Sequence, residues 1–160
     1  MSCTVQLLKW DHARFRTLLK YLQSVTRDPD PGSRDATELL ELYTLLKPAV
    51  QGRHQAQEAA LWQQLREQGK LDTGQLQQLS QMQVRLQRSG RDLERTIRAS
   101  SGTGAITELE CLARPFINSF VALMEMEEQL FPLLENPPST HHHRPARHGI
   151  DLKYRARPQE

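Results

Sequence analysis

The stretch HQAQEAALW, residues 54–62, contains no proline, glycine or β-branched residue and is typical of the middle of a helix. His54 and Glu58 are four residues apart, so a helix projects both from one face. A later stretch, LMEMEEQLF, residues 123–131, aligns with it without gaps: Glu127 takes the place of Glu58, and a leucine takes the place of the histidine. Two segments therefore share one polar pattern, which is complete in the first and incomplete in the second.

The bulk composition is that of one globular domain. The chain has 160 residues, of which 38% are hydrophobic and 25% charged. No run of apolar residues is long enough to cross a membrane, and the first residues lack the apolar core of a signal peptide, so we expect a cytoplasmic protein. Cys3 and Cys111 have neither disulfide-framework nor zinc-finger spacing, and we expect two reduced, unpaired thiols.

Apolar residues at three- and four-residue spacing predict helices, and no segment has the pattern of a strand. We predict four helical segments, over residues 4–26, 36–68, 73–99 and 106–134. Asp35 is a candidate N-cap of the second segment and Gly69 a candidate C-terminal stop. Pro48 and Gly52 predict a kink or a short break within the second segment, and Pro115 predicts a kink or a restart within the fourth.

Four amphipathic helices with short connections predict an all-α fold, a four-helix up-and-down bundle over residues 1–136. Residues 137–160 lack apolar periodicity, and we expect a disordered C-terminal tail. The tail has five Lys or Arg against two acids and contains four of the six histidines. It either binds a transition metal or an acidic partner, or is a solvated segment with incidental affinity.

A polar residue interrupts the apolar seam near the middle of each predicted helix. These residues are His12, His54 with Glu58 (or Gln57), Gln83 and Glu127, and Glu128 lies next to the seam. In an antiparallel bundle, positions at mid-length meet at one level of the core. A buried carboxylate needs a cation or a hydrogen-bonded partner, and imidazole and carboxylate groups are good ligands for iron, zinc or manganese.

Three interpretations of this polar level remain open from the residues alone. The first is a metal site. The second is a hydrogen-bonded polar layer without a metal. The third is a former metal site that is closed over by Gln83 and Leu123.

Short motifs in three of the segments resemble the hemerythrin-like, or HHE cation-binding, domain family. The first motif is DHARF, residues 11–15, and the third is EEQLFP, residues 127–132. The second motif lies within residues 54–62 and consists of His54, Glu58, Leu61 and Trp62. The resemblance extends over about residues 4–135. It implies a four-helix bundle around a non-haem di-iron centre.

The chain departs from the family pattern at two ligand positions, where it has Gln83 and Leu123 in place of histidines. The ligands that the resemblance carries over are His12, His54, Glu58 and Glu127 or Glu128. We therefore expect a degenerate, mononuclear site, holding iron, another divalent metal or none.

The resemblance implies a role in sensing or handling iron, oxygen or nitric oxide. We expect no dedicated enzyme, no membrane, no specific nucleic acid, and a monomer or dimer. The alternative is a metal-free helical adaptor that acts through its polar faces or its basic tail.

Overall fold

The computed structural model describes residues 3–27, 36–51, 53–99 and 106–135, and these ranges contain helices and no strand. The helices are α1 (Cys3–Arg27), α2 (Ala36–Val50), α3 (Arg53–Glu67), α4 (Thr73–Ala99) and α5 (Ile106–Glu135). The candidate N-cap at residue 35 and the tail at 137–160 lie outside the described residues.

The helices pack as a bundle of four columns. The first column is α1, the second is α2 followed by α3, and the third is α4. The fourth column is α5, which packs against both α4 and α1. Residue numbers run in opposite directions along α1 and α5: Lys9 pairs with Glu135, and Phe15 packs on Phe120. The predicted all-α bundle is confirmed. Within the described ranges, no helix combines the length and the apolar character that crossing a bilayer requires.

The second predicted segment is divided into α2 and α3, which confirms the expected interruption. Pro48 lies in the last turn of α2, and the chain resumes as helix at Arg53. The fourth segment behaves differently, because α5 runs without a break through Pro115. Of the two predicted alternatives, the restart is therefore wrong, and the kink stays a prediction. Ala113 and Phe116, on either side of the proline, are both buried and hold the two parts of the helix against one core.

The short connection from α3 to α4 is specified by local hydrogen bonds. Gly69 has a φ of 69°, as predicted for a C-terminal stop, and the N–H of Lys70 donates to the carbonyl of Leu65 at 2.9 Å. Asp72 then caps α4: its carboxylate accepts from the N–H of Gln75 at 2.7 Å, and the Gln75 side chain accepts from the N–H of Asp72 at 3.1 Å. This reciprocal pair fixes where α4 begins.

The apolar seams predicted from spacing form the core. In α1 the buried set includes Leu8, His12, Phe15, Leu19 and Leu22, as the spacing predicts. One predicted buried position in α3, Leu61, is wrong. Trp62 is 1% exposed and occupies the buried position in this turn of α3, whereas Leu61 is only partly buried. Glu58 and Leu65 are buried as the spacing predicts, and Leu61 and Trp62 each lie three or four residues from both, so the spacing alone does not choose between them.

Gly90 in α4 lies tightly against side chains of two other helices. A β-carbon added there would lie 3.0 Å from the Tyr43 hydroxyl, 3.0 Å from a methyl of Val50 and 3.3 Å from the Phe116 ring. These neighbours come from α2 and α5. The absence of a side chain at this position therefore lets the columns pack closely.

We expect Gly90→Ala to lower the free energy of unfolding by about 1 kcal/mol, measured by urea denaturation. Alanine favours a helix over glycine by about 1 kcal/mol, but overpacking a closed core costs about 1–3 kcal/mol. The control is Ser80→Ala, at an exposed position of the same helix, where the propensity gain acts alone. A Gly90→Ala protein more stable than wild type would show that α2 and α5 move apart at little cost.

Candidate metal centre

Three of the predicted ligand side chains meet in the core of the bundle. His12 comes from α1, Glu58 from α3 and Glu127 from α5. Each side chain offers one ligand atom, and the three atoms lie within 4.8 Å of one another. Their exposures are 2%, 6% and 2%, respectively. An imidazole and two carboxyl groups therefore share one enclosed point.

The His12 ring is held through both of its nitrogens by consecutive residues of α5. Its Nε2 lies 3.2 Å from Oε2 of Glu127, and its Nδ1 lies 3.0 Å from Oε1 of Glu128. The ring of Phe131, one turn further along α5, packs on the imidazole with 5.3 Å between the ring centroids. These contacts fix both the position and the rotation of the ring.

Glu128 lies at the edge of the core and connects His12 to the surface. The Arg16 guanidinium donates to both oxygens of its carboxylate, at 2.5 and 3.0 Å. This pairing lowers the pKa of Glu128, and the hydrogen bond from His12 lowers it further. The carboxylate is thus ionised at neutral pH and acts only as an acceptor. Nδ1 of His12 must then carry a proton, which leaves Nε2 directed at Glu127.

The contact between His12 and Glu127 requires one shared proton. Burial lowers the pKa of His12, but the hydrogen bonds to Glu127 and Glu128 outweigh this, and the net effect raises the pKa. Burial also raises the pKa of Glu127, and the nearby Glu58 adds to the increase, while the His12 hydrogen bond opposes it. The raised pKa values mean that the pair of groups keeps this proton more readily in the core than in water. A metal ion bound at Nε2 and Oε2 would displace it.

The second oxygen of Glu127 lacks a hydrogen-bond partner among the described residues. Oε1 is buried, and so is the indole nitrogen of Trp62, which is likewise unsatisfied within the same ranges. The indole is nevertheless close enough to lower the pKa of Glu127. A small cavity of about 10 Å³ adjoins this carboxylate, and His12 and Glu58 also line it. A buried carboxylate oxygen that is unsatisfied among the described residues and adjoins a small cavity is a suitable ligand for a metal ion.

The donor set fits one small divalent cation. At metal–ligand distances of about 2.0–2.2 Å, two ligands of one ion lie at most about 4.4 Å apart. Three ligands spaced evenly around one ion lie at most about 3.8 Å apart at these distances. The ligand atoms of the cluster lie within 4.8 Å of one another, so ion binding would draw them together by up to about 1 Å. Three protein ligands leave further coordination positions open. His54 lies one turn before Glu58 in α3, but its side chain falls outside the described residues.

The other polar positions predicted for this level of the core differ in their burial. Gln83 is buried in α4 and Leu123 in α5, as their seam positions predicted, whereas Gln57 is exposed and Glu58 occupies the inward position. The sequence interpretation missed Arg16, which lies four residues after His12 and so shares its helix face. That spacing was the available signal for a pairing with Glu128.

Comparisons of this chain with protein-family models, curated proteins and solved structures find no match.

Proposed function

We propose that this protein binds one divalent metal ion in the core of its helical bundle, through His12, Glu58 and Glu127. The observation that carries the proposal is the convergence of three buried ligand groups from three helices, with one buried Glu127 oxygen unsatisfied among the described residues. Two acidic groups and an imidazole at one enclosed point are costly unless a cation or a proton compensates them. A metal ion compensates all three groups at once.

We further propose that the metal is Fe²⁺ and that the protein senses or handles iron, oxygen or nitric oxide. Support comes from the resemblance of the motifs at residues 11–15 and 127–132 to the hemerythrin-like family. It also comes from the ligand type, because imidazole and carboxylate ligands that leave open positions suit non-haem Fe²⁺. Bound Fe²⁺ would supply a coordination position for a small gas. His54 would add a second imidazole to the set.

The test is a metal titration of the full chain, with the histidines of the tail replaced by serine so that they do not bind metal. These are His141, His142, His143 and His148. Under anaerobic conditions, calorimetry with Fe²⁺ and metal analysis after gel filtration should give about one ion per chain. Glu58→Gln should remove this binding, since it replaces a ligand. Glu67→Gln is the matched control, at an exposed position of the same helix.

Other results of this titration lead to different conclusions. About two ions per chain would indicate a dinuclear centre with ligands beyond these three. An absence of binding, with the helical circular dichroism intact, would reject the metal proposal. The metal-free interaction protein would then be the remaining interpretation, and His12 and His54 would be dispensable for its partner.

A further inference from the structure

The exposed face of the second half of α4 is made of arginine. From residue 85 to residue 98, a stretch that the structure describes throughout, every exposed residue is an arginine. Their spacing of three and four residues places them on one side of the helix, opposite its buried residues. The row is about 20 Å long. We call it the arginine stripe, and its members are Arg85, Arg88, Arg91, Arg95 and Arg98.

The positive charge of the arginine stripe is only partly compensated. Its last two arginines pair with acidic residues of the same helix, at 3.6 and 2.9 Å. Among the described residues, the other three arginines, Arg85, Arg88 and Arg91, form no ion pair. Residues 85–99 have five arginines against two acidic residues, whereas the whole chain has a formal net charge of only +2. Positive charge is therefore concentrated along this one rigid face, as in a surface that binds a polyanion.

The side chains of the stripe favour one class of polyanion. Guanidinium groups donate forked hydrogen bonds to phosphate oxygens, and the phosphates of a duplex can be bound by cationic side chains alone. Single strands are bound by stacking on aromatic side chains, and protein partners by an apolar centre. The described helix α4 contains no aromatic residue, and its one exposed large apolar side chain is Val84. A double-stranded nucleic acid is therefore the partner that this face fits best.

We infer that the arginine stripe of α4 binds the phosphate backbone of double-stranded DNA without preference for base sequence. A row of about 20 Å extends over about six phosphates of one strand, at about 3.4 Å each. Phosphate contacts carry no base information, so the stripe positions the protein on a duplex and does not read it. The three candidate metal ligands lie on other helices, so the inference is independent of the metal proposal.

The experiment measures binding of the full chain to a fluorescent DNA duplex of about 20 base pairs by anisotropy, with a chelator present. We expect a dissociation constant on the order of 10 µM at about 20 mM salt. The logarithm of the association constant should fall with the logarithm of the salt concentration with a slope of about −3 to −4, since three or four phosphates are neutralised. Two duplexes of unrelated sequence should bind equally.

A triple variant, Arg85→Gln with Arg88→Gln and Arg91→Gln, tests the surface itself. At about 20 mM salt it should bind at least about tenfold more weakly, and its salt slope should be smaller by about 1 for each arginine removed. Lysine at the same three positions keeps the charge and should retain most of the affinity. Should the glutamine variant lose its helical circular dichroism, Arg88→Gln alone is measured, and its slope should be smaller by about 1.

A matched control removes the same charge from exposed positions on three other helices. Its substitutions are Arg14→Gln, Arg66→Gln and Arg114→Gln. The control should bind DNA within about twofold of wild type, because these positions lie outside the stripe. Equal weakening by both triple variants would show that binding follows net charge alone and would overturn the inference. Unchanged binding of the stripe variant would place the DNA contact elsewhere and overturn it as well. So would a polyglutamate chain that binds more tightly than the duplex.

Discussion

Replacing His12 with alanine lowers the free energy of unfolding of the metal-free protein by about 3–5 kcal/mol, the cost of removing one partner from a buried ionic group. The imidazole is 2% exposed and forms the hydrogen bond to Glu127. Without it, Glu127 and Glu58 remain together in the core with no imidazole to share a proton. The packing on Phe131 is lost as well. Urea denaturation in the presence of a chelator measures this difference.

A double substitution provides the control for this prediction. In His12→Leu with Glu127→Leu, both members of the pair become apolar groups of moderate size. Such replacements are often neutral or stabilising by about 1–4 kcal/mol. The double variant leaves Glu58 as the one charged member of the cluster, so without metal it should be more stable than His12→Ala, and it should bind no Fe²⁺. If His12→Ala alone costs less than about 1 kcal/mol, then water reaches the two carboxylates and the enclosed site is wrong.

The level at which the polar residues meet could be predicted from the sequence because helix periodicity is local. His12 follows the buried positions of α1 at three- and four-residue spacing, and Glu127 does so in α5. Both helices are continuous over these positions, so counting along them preserves the phase. Antiparallel packing then places mid-length residues of the two helices side by side, as the contact of His12 with Glu127 shows.

The rotation of each side chain about its helix could not be predicted to the same accuracy. One residue corresponds to about 100° around a helix, so an uncertainty of one residue leaves Glu127 and Glu128 indistinguishable. The structure separates them: Glu127 is buried, and Glu128 lies at the edge of the core against Arg16. The exchange of Leu61 for Trp62 in α3 has the same origin.

Replacing Glu128 with alanine weakens Fe²⁺ binding by about 10–100-fold, the usual cost of losing a group that orients a metal-binding histidine. Glu128 accepts a hydrogen bond from Nδ1 of His12 and thereby holds Nε2 toward the candidate metal. With Fe²⁺ well above the dissociation constant, the stabilisation by the metal should then fall by about 1.4–2.7 kcal/mol. Fe²⁺ titration and urea denaturation with and without Fe²⁺ measure the two quantities on the same protein.

Three further variants assign the effect to orientation of the histidine. Glu128→Gln keeps an acceptor for Nδ1 but loses the charge, so its affinity should lie between those of wild type and Glu128→Ala. Arg16→Gln leaves the carboxylate on His12 and should weaken binding less than Glu128→Ala. Glu125→Gln, at an exposed position of α5, should bind as wild type does. If Glu128→Ala instead lowers the stability of the metal-free protein and leaves the Fe²⁺ affinity unchanged, then Glu128 supports the packing of α1 on α5 and does not orient a ligand.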